Sequence, residues 1–351
     1  MNVVRKCILD MTGYIPGEPA DNQKIIKLNQ NESRFPPSPR AIKAIEAAAA
    51  DLALYPDSTS TSLRETAARI YGVAPGQVMV GNGSDELLRI LFQCCCDPGD
   101  EAVAFYPSYT YYATLAAMQD AKYRLIDFEG EYAIPAKPDI GRAKLVFIPN
   151  PNAPTGTIFP ESEIRRLAEA APNSLVVVDE AYADFSGQTA LPLLKEYENI
   201  VVVRTFSKSY GFAGLRVGLC FAREALLEQM EKVRDYYNLD RLAQAGAEAA
   251  LLDQDWLKLI CSRVIDVRET LTGQLRELGL KVYDSGANFI LIRFGGQERA
   301  RRVFDALRER NILTRYFNSR GIDDCLRVTI GTETDMDVFR KELEDIIAKE
   351  A

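Results

Sequence analysis

The chain has 351 residues, 47% apolar and 26% charged, with a net charge of −8. That charge repels nucleic-acid backbones and anionic membranes, so neither is expected as a partner. Histidine is absent, which excludes imidazole bases, serine–histidine and cysteine–histidine nucleophile pairs and imidazole metal ligands, and no metal site is expected.

A chain of this length calls for one large and one smaller core. Residues 1–30 are rich in proline and glycine around YIPGEP (14–19) and read as an extended arm. The pattern over 60–220 alternates apolar runs with amphipathic stretches. SLRETAARIYG (62–72) is helical and stops at Gly72. QVMVG (77–81) is a short strand, and SDELLRILFQCCC (84–96) a helix ended by the turn DPGD. Strands follow at EAVAF (101–105), KYRLIDF (122–128), AKLVFIP (143–149), SLVVVD (174–179) and NIVVVR (199–204), with a helix at ESEIRRLAEAA (161–171). Continuous β-branched runs between helices predict a largely parallel sheet covered on both faces. Beyond 225 two long helices are expected, 223–237 and 241–278, then strands KVYDS, NFILIRF and CLRVTIG with helices at 297–310 and 334–348. The expected organisation is an arm (1–30), a large α/β domain (31–245) and a small α+β domain (246–351).

The cysteines, seven in all and three of them consecutive (Cys94, Cys95, Cys96), show no CxxC spacing and read as small buried thiols in a reducing compartment. The start MNVVRKCILDM has no long apolar segment, and a cytoplasmic location is expected.

Open parallel sheets bind ligands beyond the carboxyl ends of their strands. GNGSDE (81–86) joins a strand to a helix there, and a helix N-terminus offers free N–H groups to a phosphate, although many such turns merely contain glycine and a capping serine. Asp179 ends one strand and Lys208 follows the next; alone, they fit a partly buried ion pair equally well. With Arg216 eight residues on, the set matches one ligand, pyridoxal phosphate. Lys208 supplies an amine for its aldehyde and Asp179 a carboxylate for its ring nitrogen, while Ser84, Ser207 and Arg216 suit its phosphate.

Ten motifs carry a wider resemblance: YIPG (14–17), LNQNES (28–33), YPD (55–57), GNGSDE, YPSY (106–109), NPNAPTG (150–156), VDEAY (178–182), TFSKSYGFAGLRVG (205–218), YNLDRLAQA (237–245) and CLRVTIG (325–331). In these the chain resembles the fold type I pyridoxal-phosphate aminotransferases, whose fold is that of aspartate aminotransferase, and among them the histidinol-phosphate aminotransferases. The resemblance implies Lys208 as cofactor-bonding base, Asp179 on the pyridinium and Tyr182 on the phenolic oxygen. It implies Tyr109 on the ring face, and Gly83, Ser84, Asp85, Ser207 and Arg216 around the phosphate. Tyr55 would reach the phosphate of a second subunit, so a homodimer is implied. Arg327, helped by Arg315, would anchor the acidic group of an amino donor or of a phosphorylated oxo substrate, with Tyr14 and Asn31 closing over it. The family's asparagine before Pro-Thr-Gly is here Ala153, which leaves Asn152 or Tyr182 for the phenolic oxygen. Ser33, Arg34, Asp240 and Arg241 also depart from the family pattern near the substrate end, which keeps an aromatic amino-acid aminotransferase in view. A phosphothreonine decarboxylase shares the scaffold. A non-catalytic cofactor-binding regulator usually adds a DNA-binding module, for which the chain has neither spare length nor basic charge.

Overall fold

The structure, a computed structural model, describes residues 3–13, 18–19 and 25–349. The arm is not wholly extended. It holds the short helix α1 (Lys6–Asp10), and its end forms β1 (Ile26–Lys27), paired in parallel with β11 (Ile312–Leu313).

Next comes α2 (Pro39–Ala48), where Pro39 suits the first helical position and the Ser38 hydroxyl accepts from the N–H groups of Arg40 and Ala41. Helix α3 (Thr61–Tyr71) ends at Gly72, whose φ of 68° only glycine adopts freely. Strand β2 (Val78–Asn82) leads through Gly83 into α4 (Ser84–Cys95), and β3 (Glu101–Tyr106), α5 (Tyr111–Met118) and β4 (Lys122–Asp127) follow. The central strands are β5 (Leu145–Pro149), β6 (Leu175–Asp179) and β7 (Ile200–Thr205), with α6 (Glu161–Ala170) between the first two. Strand β8 (Val217–Phe221) then returns antiparallel.

These strands form a seven-stranded sheet in the order β2-β8-β7-β6-β5-β3-β4, in which only β8 opposes the common direction. Successive residues face opposite cores: Val146, Ile148, Val176 and Val178 join one cluster, Leu145, Phe147 and Val177 the other. Burial on both faces explains why these strands read as unbroken apolar runs.

The helical region differs from expectation. Helix α7 (Glu224–Glu231) stops early, and the long stretch divides into α8 (Arg241–Leu251) and α9 (Gln254–Glu277). Asp253 breaks it: its backbone leaves the helical region (φ −107°, ψ 59°) and its carboxylate accepts a hydrogen bond from Ser38. Beyond α9, β9 (Lys281–Val282), β10 (Phe289–Arg293), β12 (Arg315–Tyr316) and β13 (Cys325–Thr329) form an antiparallel sheet in the order β12-β13-β10-β9. Helices α10 (Gln297–Glu309) and α11 (Glu333–Ala348) complete this unit; Thr332 and Asp335 cap α11 reciprocally.

No helix among the described residues is long and apolar enough to cross a membrane, and these residues contain no cluster of three or more potential metal ligands. All seven cysteines are free.

Candidate active site

The carboxyl ends of β2, β3, β6 and β7 lie along one edge of the sheet. Because β8 runs the other way, its beginning meets them there, and this delivers Arg216 to the same edge. Two adjoining cavities of about 310 and 370 Å³ open at this place. Lys208, Asp85, Tyr109, Tyr182 and Arg216 line both.

At one end lies an anion cradle. The first turn of α4 presents Ser84 and its unpaired helix N-terminus, with Ser207 and Arg216 opposite. Two glycines let the backbones close up. A Cβ on Gly218 would lie 2.5 Å from the Ser84 nitrogen, and one on Gly83, at φ 80°, would lie 2.5 Å from Arg216 Nη2. Arg216 itself holds a left-handed backbone (φ 56°), a strain of roughly 1–3 kcal/mol of the kind that collects at functional sites. Its Nη2 donates to Asp85 Oδ2 at 3.1 Å, and Asp85 Oδ1 accepts from the Tyr109 hydroxyl at 3.2 Å. A carboxylate has no proton to offer a phosphate, so the Asp85 side chain serves as counter-ion and guide for Arg216.

At the other end Asp179 is buried, its Oδ1 accepting from the Ala181 N–H at 3.2 Å and its Oδ2 from the Tyr112 hydroxyl at 2.6 Å. Burial pushes this carboxyl up to about 6, opposed by the Tyr112 hydrogen bond. Between the ends, Lys208 Nζ donates to the Gln30 carbonyl at 3.1 Å and lies 5.9 Å from the Tyr182 ring. Burial, aided by the Arg327 charge, lowers this amine to about 8. Phosphate cradle, amine and carboxylate therefore stand in the order that an aldehyde-bearing pyridine phosphate requires, and the residues fit that group.

The second cavity reaches the antiparallel sheet. Arg315 and Arg327 are cross-strand partners on β12 and β13, and both line it. Like charges in that position repel, an arrangement that an incoming anion relieves. Arg327 Nη2 donates to the Asn29 carbonyl at 3.0 Å, and its guanidinium lies 5.2 Å from the Phe289 ring and 5.6 Å from the Phe317 ring. Asn31 joins the two sheets: its amide donates to the Tyr182 hydroxyl at 2.9 Å and its Oδ1 accepts from Thr329.

Residues 23–343 match the family described as aminotransferase class I and II. The chain belongs to that family. A histidinol-phosphate aminotransferase from Geotalea uraniireducens is 43% identical to this aminotransferase, covering 98% of this chain and 99% of the relative. One from Syntrophotalea carbinolica is 42% identical over 99% and 100% respectively. Among solved structures, the histidinol-phosphate aminotransferase of Sinorhizobium meliloti in complex with pyridoxal-5′-phosphate superposes with a TM-score of 0.91 at 25% identity, covering 100% of this chain and 99% of that one. The fold is that of the aspartate aminotransferase-like enzymes.

Of the residues singled out in this aminotransferase's sequence, the structure brings Ser84, Asp85, Tyr109, Asp179, Tyr182, Ser207, Lys208 and Arg216 around the first cavity, with Gly83 at the turn before Ser84. Arg315, Arg327 and Asn31 line the second. Asn152 is a correction. It is fully buried and lines neither cavity, and its amide donates instead to the Pro107 carbonyl at 3.0 Å and to Thr155 at 2.8 Å. Both N–H groups are thus used elsewhere, and Ala153 takes the place at the cavity wall. Tyr55 is 77% exposed and stacks on Tyr237, outside both cavities of its own chain. Tyr14 lies outside the described residues. Gln30, Glu32 and Thr205 line the first cavity and Phe317 the second without having been singled out; Gln30 and Glu32 lie within LNQNES and could have been found there.

Proposed function

We propose that this aminotransferase uses pyridoxal 5′-phosphate to move an amino group from L-glutamate to imidazole-acetol phosphate, giving 2-oxoglutarate and L-histidinol phosphate. The observation that carries the reading is the guanidinium pair Arg315–Arg327 facing the cavity that holds Lys208. The names of the full-length relatives support the choice of substrate.

The first turn of α4 with Ser84, Ser207 and Arg216 would hold the cofactor phosphate, and Asp179 its ring nitrogen. Tyr109 would cover the ring, and Tyr182, steadied by Asn31, would donate to its phenolic oxygen. When bound, the cofactor supplies an electron sink that acidifies the α-proton of an amino acid. Lys208 Nζ would take that proton and return it two atoms along, in a 1,3-shift, a task that suits an amine lowered to about 8. Arg327 would bind the glutamate carboxylate and the substrate phosphate in turn, since a planar guanidinium grips either through two hydrogen bonds.

We also infer a homodimer. Tyr55 faces outward beside exposed Leu52, Leu54 and Tyr236, an apolar patch suited to a second copy, whose phosphate cradle Tyr55 would complete. Seven free thiols agree with the reducing cytoplasm.

The test is a comparison of kcat/KM for L-histidinol phosphate and L-phenylalanine with 2-oxoglutarate as acceptor. A preference for histidinol phosphate is expected. A preference for phenylalanine would reject the substrate reading, and failure to form glutamate from either would reject transamination.

A further inference from the structure

Besides the Ala181 N–H on Oδ1, the Asp179 carboxylate accepts a hydrogen bond from a side chain on another element. Tyr112 sits in α5, fully buried, its ring stacked on Phe147 with centroids 4.4 Å apart and set edge-on to Tyr109 at 5.4 Å. Its hydroxyl reaches Asp179 Oδ2 at 2.6 Å. We propose that Tyr112 is the positioning residue for Asp179, fixing the carboxylate so that it faces the cofactor's ring nitrogen. The inference rests on the reading of Asp179 given above.

The geometry commits the Tyr112 hydroxyl to this carboxylate. Two aromatic neighbours hold the phenol ring, so the hydroxyl cannot swing away without unstacking it. Burial and the adjacent carboxylate hold the phenol well above its ordinary value, so Tyr112 acts as donor only. Two carboxylates, Asp85 from α4 and the adjacent Glu180, oppose the ionisation of Asp179. Around Tyr112 the further titratable groups are the phenols of Tyr109 and Tyr123, which give Asp179 no positive partner. The hydrogen bonds that favour the anion come from the Tyr112 hydroxyl and the Ala181 N–H. A chain without histidine has no imidazole to place behind this carboxylate. The same phenol also buttresses Tyr109, so ring cover and nitrogen partner are set by one side chain.

Tyr112→Phe keeps the ring and removes only the donor. The measurement is the dissociation constant of the apoprotein for pyridoxal phosphate and for the analogue with carbon in place of the ring nitrogen, by absorbance titration. Both constants come from the same variant preparation, so a partly unfolded fraction cancels in their ratio. Tyr112→Phe should weaken pyridoxal phosphate by about 10-fold, the scale of a lost hydrogen bond to a charged group, and should not weaken the analogue. Equal weakening of both would mean lost packing and overturn the inference. So would an unchanged ratio in Tyr112→Phe when Asp179→Ala abolishes the preference for the nitrogen-bearing ring. If Asp179→Ala also leaves that preference intact, the reading of Asp179 falls, and the inference with it.

Discussion

Lys208 and Asp179 are displaced from their ordinary titration ranges in opposite directions, both chiefly by burial, and each displacement has a sign that can be measured. The Lys208 amine, lowered from 10.5 to about 8, is increasingly neutral as pH rises through 8. Only the neutral amine is nucleophilic, so uptake of pyridoxal phosphate by the apoprotein should accelerate about tenfold per pH unit below 8 and level off above it. Stopped-flow absorbance between pH 6 and 9.5 checks this. Asp179 is raised from 3.8 to about 6, so between those values the folded apoprotein binds a proton that the unfolded chain has released. Its contribution to stability is therefore full below pH 3.8 and falls as pH rises to 6. Asp179→Asn removes that fall, and relative to the wild type the apo variant should gain roughly 2 kcal/mol in urea unfolding between pH 4 and pH 7. A third residue-scale prediction concerns the support behind Lys208. Its neighbour Ser209 donates to Asp184, Asp184 accepts from Arg204 Nη1 at 3.0 Å, and Arg204 Nη2 donates to Glu180 at 2.7 Å in a buried network. Glu180→Gln leaves the Arg204 charge short of a partner, and a loss of roughly 3–5 kcal/mol in denaturant unfolding is expected.

At the scale of elements, the site depends on one reversed strand. Inserting β8 antiparallel between β2 and β7 brings Arg216 to the turn before α4, and Gly218 makes the approach possible. Gly218→Ala sets a methyl against backbone atoms of Gly83 and Ser84, neither of which is a flexible side-chain end. The variant should lose roughly 1–3 kcal/mol of stability and bind pyridoxal phosphate more weakly, as denaturant unfolding and absorbance titration would show. This strand was not legible beforehand: RVGLCFA is short and follows a glycine-bearing loop, so no period announced it. Helix α5 escaped for a related reason, since YYATLAAM is apolar nearly all round and shows no polar stripe. The break between α8 and α9 was hidden because helical periodicity continues on both sides of Asp253, and its reason, a bond to Ser38, is 215 residues distant. Long-range hydrogen bonding also decided Asn152, whose amide is claimed by the Pro107 carbonyl. By contrast, the positions of Asp179 and Lys208 at strand ends were readable, because doubly buried strands are unbroken apolar runs with visible ends.

At the scale of the whole molecule, the proposed dimer would share its sites between subunits, a property that one chain expresses through what it leaves outside. Tyr55 and its apolar neighbours point away from their own cavity. Tyr55→Phe should weaken cofactor binding, and a hybrid of a Tyr55→Phe chain with a Lys208→Ala chain should regain one site of wild-type affinity, because an intact Tyr55 then faces an intact Lys208. Cofactor titration of the mixed protein checks this; no recovery on mixing would place Tyr55 at its own subunit's site or at none. Everything proposed for catalysis converges on the Lys208 amine, held between the carboxylate at the end of β6 and the anion cradle at α4. The most direct measurement reduces the cofactor-loaded protein with borohydride and maps the pyridoxyl-labelled peptide by mass spectrometry. The label is predicted on Lys208 alone. A label on another lysine, or none at all, would contradict the account.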